Sequence, residues 1–180
     1  AARGAGSTEG QTMTRTGLAL VMLLAAGPAA AADDGGLRFD PAYARACVDD
    51  GGWRDCIGVA AQGCMEFTEG GYSTQGMSGC LAAEHRWWDG ELNALYQQLR
   101  ARERAADAEW QPIPGMLPRP SGADALRDMQ RAWIAFRDAT CRYEELQWWG
   151  GTGASGAMNG CLMRVTAEQV LALRGYLAEG

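Results

Sequence analysis

The polar side chains best suited to binding or catalysis lie on two largely apolar segments, 80–99 and 126–141, where they recur at helical spacing. The first segment contains Asp89-x2-Leu92-Asn93-x2-Tyr96, and the second contains Gln130-x2-Trp133-x3-Arg137-Asp138. A guanidinium that leaves water needs an acceptor, so we expect Asp89 or Asn93 to meet Arg137 between two helices. The functional alternative is that these side chains line a ligand groove.

Groups that could catalyse a reaction are poorly arranged along the chain. His85 is the single histidine and falls on an apolar stripe, where packing in the core is favoured over action as a base. Glu144 and Glu145 are adjacent and point in different directions on a helix, which is poor geometry for a paired acid and base. The glycine-rich loops contain no lysine and no phosphate-binding pattern. The sequence therefore predicts a protein that is not an enzyme and holds no cofactor.

The N-terminal region has the layout of a secretory signal peptide. Met13 is the first residue typical of a translational start, so residues 1–12 are predicted to be a non-native upstream extension. A basic residue, the apolar run 18–26 and a small-residue cleavage site make 13–32 a predicted signal peptide. No window approaches the roughly 20 apolar residues that a membrane span needs. With no cysteine at the cleavage site, we expect a soluble product, periplasmic or secreted, without a transmembrane segment.

The six cysteines predict disulfides rather than a metal site, and they are Cys47, Cys56, Cys64, Cys80, Cys141 and Cys161. An even number in an exported chain favours three bridges, and the short paired spacings of zinc ligands are missing. Cys56 and Cys64 would lie about 12 Å apart along a helix, too far for a bridge. Local pairing is therefore favoured, as 47–56, 64–80 and 141–161, although other pairings stay open.

Charge limits the possible partners. The predicted mature chain, residues 33–180, has 14 Arg, no Lys and 21 Asp plus Glu, a net charge of −7. Nucleic acid is therefore not an expected partner. An acidic exported protein attracts cationic proteins, and the attraction weakens as salt rises.

Hydrophobic periodicity predicts helices throughout the mature chain. After a flexible lead-in at 33–40, short helices are expected over 42–48 and 53–67, and a last helix over 161–177. Two long helices carry apolar stripes, the first at Leu81, His85, Trp88, Leu92, Leu95 and Leu99, and the second at Leu126, Met129, Trp133, Phe136, Thr140 and Tyr143. Glycine and proline predict irregular connections at 70–76, 111–122 and 150–160.

These elements predict one all-α domain over 41–180. We expect a small disulfide-stapled bundle with two long antiparallel helices, a C-terminal helix and a short N-terminal helical hairpin. Trp148 and Trp149 end the second long helix, and two adjacent indoles cannot both face one core, so at least one should be exposed as a candidate partner contact. The alternative is that one indole covers the core and the other lies over the loop.

The combined pattern resembles the LprI-like lysozyme inhibitor family of bacterial exported proteins. It comprises Cys80-x8-Asp89-x2-Leu92-Asn93-x2-Tyr96-x2-Leu99, then Gln130-x2-Trp133-x3-Arg137-Asp138-x2-Cys141, then a glycine-rich loop and Cys161. The resemblance runs from about Cys56 to Leu177 and implies a helical, disulfide-bonded envelope protein. The family's namesake type is a lipoprotein, whereas the leader of this chain has no cysteine at its predicted cleavage site. The matched residues are typical of bundle architecture, so no inhibitory residue is carried over.

The resemblance implies a periplasmic inhibitor of lysozyme-type muramidases, with a cationic lysozyme as its partner. A second hypothesis is an envelope binding module for a small ligand or a partner protein that does not inhibit lysozyme. A third and less favoured hypothesis is a cell-wall hydrolase. The oligomeric state is not predicted.

Overall fold

The computed structural model describes residues 36–179. The predicted extension 1–12, the signal peptide 13–32 and residues 33–35 of the lead-in lie outside the described residues. In the described part the helices are α1 (Ala42–Asp49), α2 (Val59–Phe67), α3 (Thr74–Glu109), α4 (Gly122–Leu146) and α5 (Ala154–Ala178), with a 3-10 turn at Arg54–Cys56. No strand occurs between residues 36 and 179, and the predicted all-α fold is confirmed.

Helices α3, α4 and α5 form the main bundle. Near their starts, Asn159 of α5 bonds to Ser78 of α3, and further along Arg174 of α5 pairs with Glu91 of α3 at 3.0 Å. α3 and α5 therefore run in the same direction. α4 packs against both in the opposite direction. Its start bonds to Asp107 at the end of α3, and the Cys141–Cys161 bridge joins its end to the start of α5.

The predicted apolar stripe on the first long helix is confirmed. Trp88, Leu92 and Leu99 are buried, whereas the other three members are partly buried. On α5, Val170 and Leu173 complete the same core. Because each large apolar side chain contributes about 1.5–3 kcal/mol when buried, the seam between α3 and α5 supplies much of the stability of the fold.

The start of α3 lies inside a segment that was expected to be irregular. The Ser73 hydroxyl accepts a hydrogen bond from Gly76 N at 3.0 Å, which caps the helix. Gly76 is buried, and a Cβ there would collide with the carbonyl oxygen of Gly70. The prediction for 70–76 is therefore wrong from Thr74 onward, because these glycines permit close packing as well as turns.

Two other helix starts differ from prediction. The helix expected over 53–67 is divided into the 3-10 turn and α2. Gly58 lies between them with a φ of 95°, a conformation that a helix does not contain. α5 begins at Ala154 rather than near Cys161, so the irregular segment predicted for 150–160 ends at Gly153. Helical periodicity is hard to recognise where small residues dominate, as they do over 154–160.

The apolar stripe predicted for α4 is only partly correct. Phe136 is 60% exposed and Tyr143 is 66% exposed, so neither belongs to the core. The inward face instead carries Gln130, Trp133 and Cys141. Because Gln130 is buried, the face of α4 that packs against the bundle is not the face that the spacing of apolar residues predicts.

The three predicted local disulfides are confirmed. Cys47–Cys56 joins α1 to the 3-10 turn, Cys64–Cys80 joins α2 to α3, and Cys141–Cys161 joins α4 to α5. Loops of this length lose entropy on closure in the unfolded chain, so each bridge contributes on the order of 3 kcal/mol.

The described part of the lead-in has no regular structure, yet it is held to the bundle. Leu37 and Phe39 pack against the core, and Arg38 N donates to the Thr68 hydroxyl at 2.8 Å. This differs from the flexible lead-in predicted for 33–40, because two apolar side chains there have a surface to cover.

Candidate functional site

The predicted meeting of Asp89 and Arg137 occurs at the outer limit of an ion pair. Arg137 Nη1 lies 4.0 Å from Asp89 Oδ1, whereas Arg137 Nη2 lies 2.8 Å from Asp138 Oδ1. Asn93 Nδ2 instead donates to the carbonyl oxygen and to Oδ2 of Asp89, at 2.8 and 3.0 Å. Of the two acceptors expected for Arg137, the structure uses Asp89, because the Asn93 amide bonds within its own helix.

Arg137 is also held against an aromatic ring. Its Cζ lies 5.1 Å from the centroid of Trp133, within the range of a cation–π interaction. The Arg137 side chain is only 18% exposed. This geometry belongs to a seam between α3 and α4 rather than to an open ligand groove.

The other residues of the two motifs lie in the same interior. Gln130 is 8% exposed, and its Oε1 accepts a hydrogen bond from Gln169 Nε2 at 3.2 Å. Leu92 is buried, and Tyr96 packs against the core while partly exposed. These positions join α3, α4 and α5.

Glu84 was not among the residues singled out from the sequence, and its carboxylate is fully buried. Its Oε1 accepts from Gly58 N at 2.7 Å and from Trp88 Nε1 at 2.9 Å, while Oε2 accepts from Ala61 N at 2.6 Å. The free N–H groups of a first helical turn attract negative charge, so Glu84 anchors the start of α2 to α3. The only sequence signal was a tryptophan four residues later, one helical turn away.

His85 lies on α3, near Arg137 of α4, and is partly buried. Its Nε2 is buried and has no hydrogen-bond partner within the described residues. Burial lowers the pKa of His85 below its ordinary value; the nearby Asp89 carboxylate opposes this shift, and the charges of Arg137 and Arg86 reinforce it. The imidazole is therefore neutral at neutral pH.

Trp148 and Trp149 are both exposed, by 56% and 85%. Their backbone N–H groups extend the end of α4 through hydrogen bonds to carbonyl oxygens of Glu145 and Leu146. The Trp148 ring lies over Gly153, where a Cβ would come within 2.6 Å of the indole Cε3. The alternative predicted that one indole covers the core and the other lies over the loop. Its first half is wrong, because both rings are exposed, and its second half is correct for Trp148.

Glu144 and Glu145, which precede the tryptophans, are not arranged as a catalytic pair. Glu144 Oε1 accepts a hydrogen bond from Arg164 Nη2 at 2.6 Å, which joins α4 to α5. Over residues 36–179 no group of three or more His, Cys, Asp or Glu side chains could hold a metal ion. None of the helices in this range is long and apolar enough to cross a membrane.

Comparison with known proteins links the chain to one family. The model of the family described as lysozyme inhibitor LprI matches residues 64–173, which include both motif helices and two of the three disulfides. An uncharacterized protein of Rhizobium meliloti (strain 1021) is 32% identical over 96 residues, covering 53% of this chain and 67% of that relative. No solved structure gives a significant match.

Proposed function

Because the chain belongs to the LprI family of lysozyme inhibitors, we propose that it is an exported protein that binds and inhibits lysozyme-type muramidases. The observation that carries the proposal is the extent of the family match. It spans residues 64–173, and these residues contain most of the bundle formed by α3, α4 and α5. Inhibition by occluding the enzyme's cleft needs a rigid surface rather than catalytic groups, and a stapled bundle supplies one.

We propose Trp148 and Trp149 as the centre of the contact surface. Exposed tryptophans are frequent anchors of protein interfaces, because a large apolar ring loses little conformational entropy on binding. The turn that carries them is short and lies between two helices joined by Cys141–Cys161. Gly153 allows the Trp148 ring to pack on the turn, which holds it in position before a partner arrives.

Charge supports a cationic partner. The acidic balance of the mature chain attracts a positively charged enzyme over long range, so association should be fastest at low salt. Since the screening length falls to about 8 Å at physiological ionic strength, the effect should weaken measurably between low and high salt.

A lysozyme lysis assay with the purified, oxidised protein tests the proposal. We expect stoichiometric inhibition that decreases as salt rises. Changing Trp148 and Trp149 together to Ala should weaken inhibition at least about tenfold, as the loss of an interface anchor does. If the unmodified protein inhibits none of several lysozyme types, the proposal is wrong.

The control is a pair of apolar residues at the opposite end of the bundle. Met116 and Leu117, in the loop between α3 and α4, are 66% and 90% exposed. Changing both to Ser removes comparable exposed apolar surface and should leave inhibition unchanged. Equal losses in the two double variants would show that the tryptophan turn is not the contact.

A third variant separates the position of the indole from its presence. Gly153→Ala keeps both tryptophans, but its new methyl group would displace the Trp148 ring. We expect weaker inhibition with little change in thermal stability. Unchanged inhibition would show that the packed position of Trp148 is not needed.

The hydrolase hypothesis gains no support from the site. The oxygens of Glu84 already accept three hydrogen bonds, and Glu144 pairs with Arg164. Turnover of peptidoglycan by the purified protein alone would revive this hypothesis.

A further inference from the structure

The loop between α3 and α4 exposes large aliphatic side chains at the end of the bundle opposite Trp148. Ile113, Met116 and Leu117 are 54%, 66% and 90% exposed. The stretch 110–118 contains no charged side chain. Single exposed aliphatic residues are ordinary on a protein surface, whereas a group of them close together in the chain indicates a surface for binding.

The tip of this loop has a defined conformation. Met116 N donates to the carbonyl oxygen of Ile113 at 3.1 Å, and Gly115 has a φ of 83°. With Pro114 before the glycine, these features are typical of a type II turn. Ile113 and Met116 close the turn and Leu117 follows directly, so the three aliphatic side chains lie around the apex of the loop.

The base of the loop is polar and fixed. Asp107, near the end of α3, accepts hydrogen bonds from Gly122 N and Ala123 N at 2.9 and 3.0 Å, which ties the two helices together. Its Oδ1 also lies 3.3 Å from Arg119 Nη1. Arg119 and Trp110 line one small depression at this base. The loop therefore has an aliphatic apex and a base that contains a tryptophan and an arginine.

The aliphatic apex is too small to hold a protein partner by itself. Three such side chains expose on the order of 300 Å² at most, whereas each side of a stable protein interface buries about 800 Å². A lipid bilayer makes no such demand, because its fluid interior surrounds an inserted side chain whatever its shape. The area of the apex therefore favours a lipid surface over a protein groove.

The backbone of the loop also suits insertion into lipid. Hydrocarbon offers no partner to a peptide N–H, so every free N–H group opposes insertion. Over residues 111–118, three residues are prolines without an N–H, and Met116 N is already bonded. Half of this stretch therefore brings no free N–H group to the lipid.

The residues at the base match the boundary between lipid and water. Tryptophan is enriched at that boundary, and arginine can extend its guanidinium toward the headgroups while its methylene groups stay in apolar surroundings. Glu103 and Asp107 lie within 4.0 Å of Arg119 and balance its charge. The predicted mature chain is acidic, so anionic lipid would repel it. These charges favour a zwitterionic lipid surface.

We propose that the loop over residues 110–119 inserts its aliphatic apex into a zwitterionic lipid surface and holds the protein there. α4 has 25 residues and is about 37 Å long, with this loop before its start and the two tryptophans after its end. The surface proposed for the muramidase therefore lies at the end of the bundle away from the lipid. This binding activity goes beyond inhibition of lysozyme and does not require it.

Flotation of the full oxidised protein with phosphatidylcholine vesicles tests the proposal. We expect binding that persists at high salt, because it comes from burial of apolar surface. Vesicles that also contain phosphatidylglycerol should bind the protein no more tightly. Absence of binding at millimolar lipid, or binding that needs the anionic lipid and is lost at high salt, would overturn the proposal.

Two variants at Leu117 test insertion of the apex. Leu117→Asp places a charge there and should weaken vesicle binding at least about tenfold. Leu117→Trp should bind at least as tightly, because an indole favours the lipid boundary and a fluid surface accommodates its size. Unweakened binding by Leu117→Asp, or at least about tenfold weaker binding by Leu117→Trp, would show that the apex does not enter lipid.

The matched control introduces the same charge on the side of the bundle. Phe136, on α4, is 60% exposed, and Phe136→Asp should leave vesicle binding unchanged. Circular dichroism checks that the variants are folded. Equal losses in Leu117→Asp and Phe136→Asp would show that added charge, and not its position at the apex, weakens binding, and the loop would be rejected as the lipid contact.

The same variants keep the two proposals separate. Leu117→Asp leaves both tryptophans in place, so it should lose vesicle binding while keeping inhibition of lysozyme in solution. A protein that binds vesicles through Leu117 without inhibiting any lysozyme would support the lipid contact and refute the inhibitor proposal. Inhibition without vesicle binding would refute the lipid contact alone.

Discussion

Replacing Glu84 by Gln should destabilise the protein far more than the size of the change suggests. The buried carboxylate accepts hydrogen bonds from Gly58 N, Ala61 N and Trp88 Nε1 at 2.6–2.9 Å. Glutamine keeps one acceptor oxygen but brings an NH2 group. One of the N–H groups at the start of α2 would then face another donor.

The expected loss follows from opposing contributions. A buried donor without a partner costs about 1–3 kcal/mol, and loss of negative charge at a helix N-terminus costs about 0.3–2 kcal/mol. Removing a buried charge also relieves its desolvation, which offsets part of this loss. We therefore expect a net destabilisation of about 2 kcal/mol, which corresponds to a Tm lower by roughly 4–8 °C for a domain of this size.

Urea denaturation and hydrogen exchange measure the effect and its location. Amides at the start of α2 should exchange faster in Glu84→Gln, because their anchor is weakened. The matched control is Glu91→Gln on the same helix, where the carboxylate pairs with Arg174 at 3.0 Å and both side chains are 32% exposed. A surface pair contributes about 0.2–1 kcal/mol. If Glu84→Gln costs no more than Glu91→Gln, or if exchange in α2 is unchanged, the anchoring role is refuted.

Three other results are expected. Hydrogen bonds from the backbone N–H groups of Ala123 and Gly122 lower the pKa of Asp107, so the stabilisation by its carboxylate should be present above about pH 4 and lost as pH falls further. The decrease in Tm caused by Asp107→Asn should therefore be smaller at about pH 2.5 than at about pH 7. An equal decrease at the two pH values would contradict this. His85 is the only histidine, so its imidazole NMR signal is unambiguous. Because burial lowers its pKa, the imidazole should titrate below the ordinary value of about 6.5, and titration at or above that value would contradict this. The stability that comes from burying the neutral imidazole should be lost as pH falls below about 6.5. Changing Cys141 and Cys161 together to Ser opens a loop with a sequence separation of 20 and should cost about 3 kcal/mol in urea denaturation, whereas a cost below about 1 kcal/mol would contradict the entropic account.

Local spacing was enough to predict the disulfides and the central helix. Cysteines that flank a short connection are brought together when the adjoining elements pack, so the local pairs needed no knowledge of the tertiary structure. The stripe from Leu81 to Leu99 is regular because α3 is covered by other helices along much of its length. Periodicity is informative where one face of a helix is buried continuously.

The same reasoning failed on α4 for a physical reason. An apolar stripe predicts burial only when no polar side chain can satisfy its hydrogen bonds in the interior. Gln130 finds Gln169, and Arg137 finds Asp138 and the Trp133 ring, so polar residues occupy the inward face. Phe136 and Tyr143 are left in contact with solvent. The burial of Glu84 could not be predicted from local spacing either, because two of its partners are backbone N–H groups more than 20 residues earlier in the chain.

The candidate sites depend on glycines whose role cannot be inferred from sequence. A glycine-rich segment predicts a loop, yet Gly76 and Gly79 lie within α3 and Gly153 caps α5. At Gly79 a Cβ would lie 2.9 Å from the Leu37 side chain, and at Gly153 it would meet the Trp148 ring. The missing side chains at these positions let the lead-in pack against the start of α3 and let the indole pack against the start of α5. The glycines therefore shape the surface at this end of the bundle. Gly153→Ala should move the Trp148 indole with little effect on the fold, whereas a methyl group at Gly76 would collide with the backbone of Gly70.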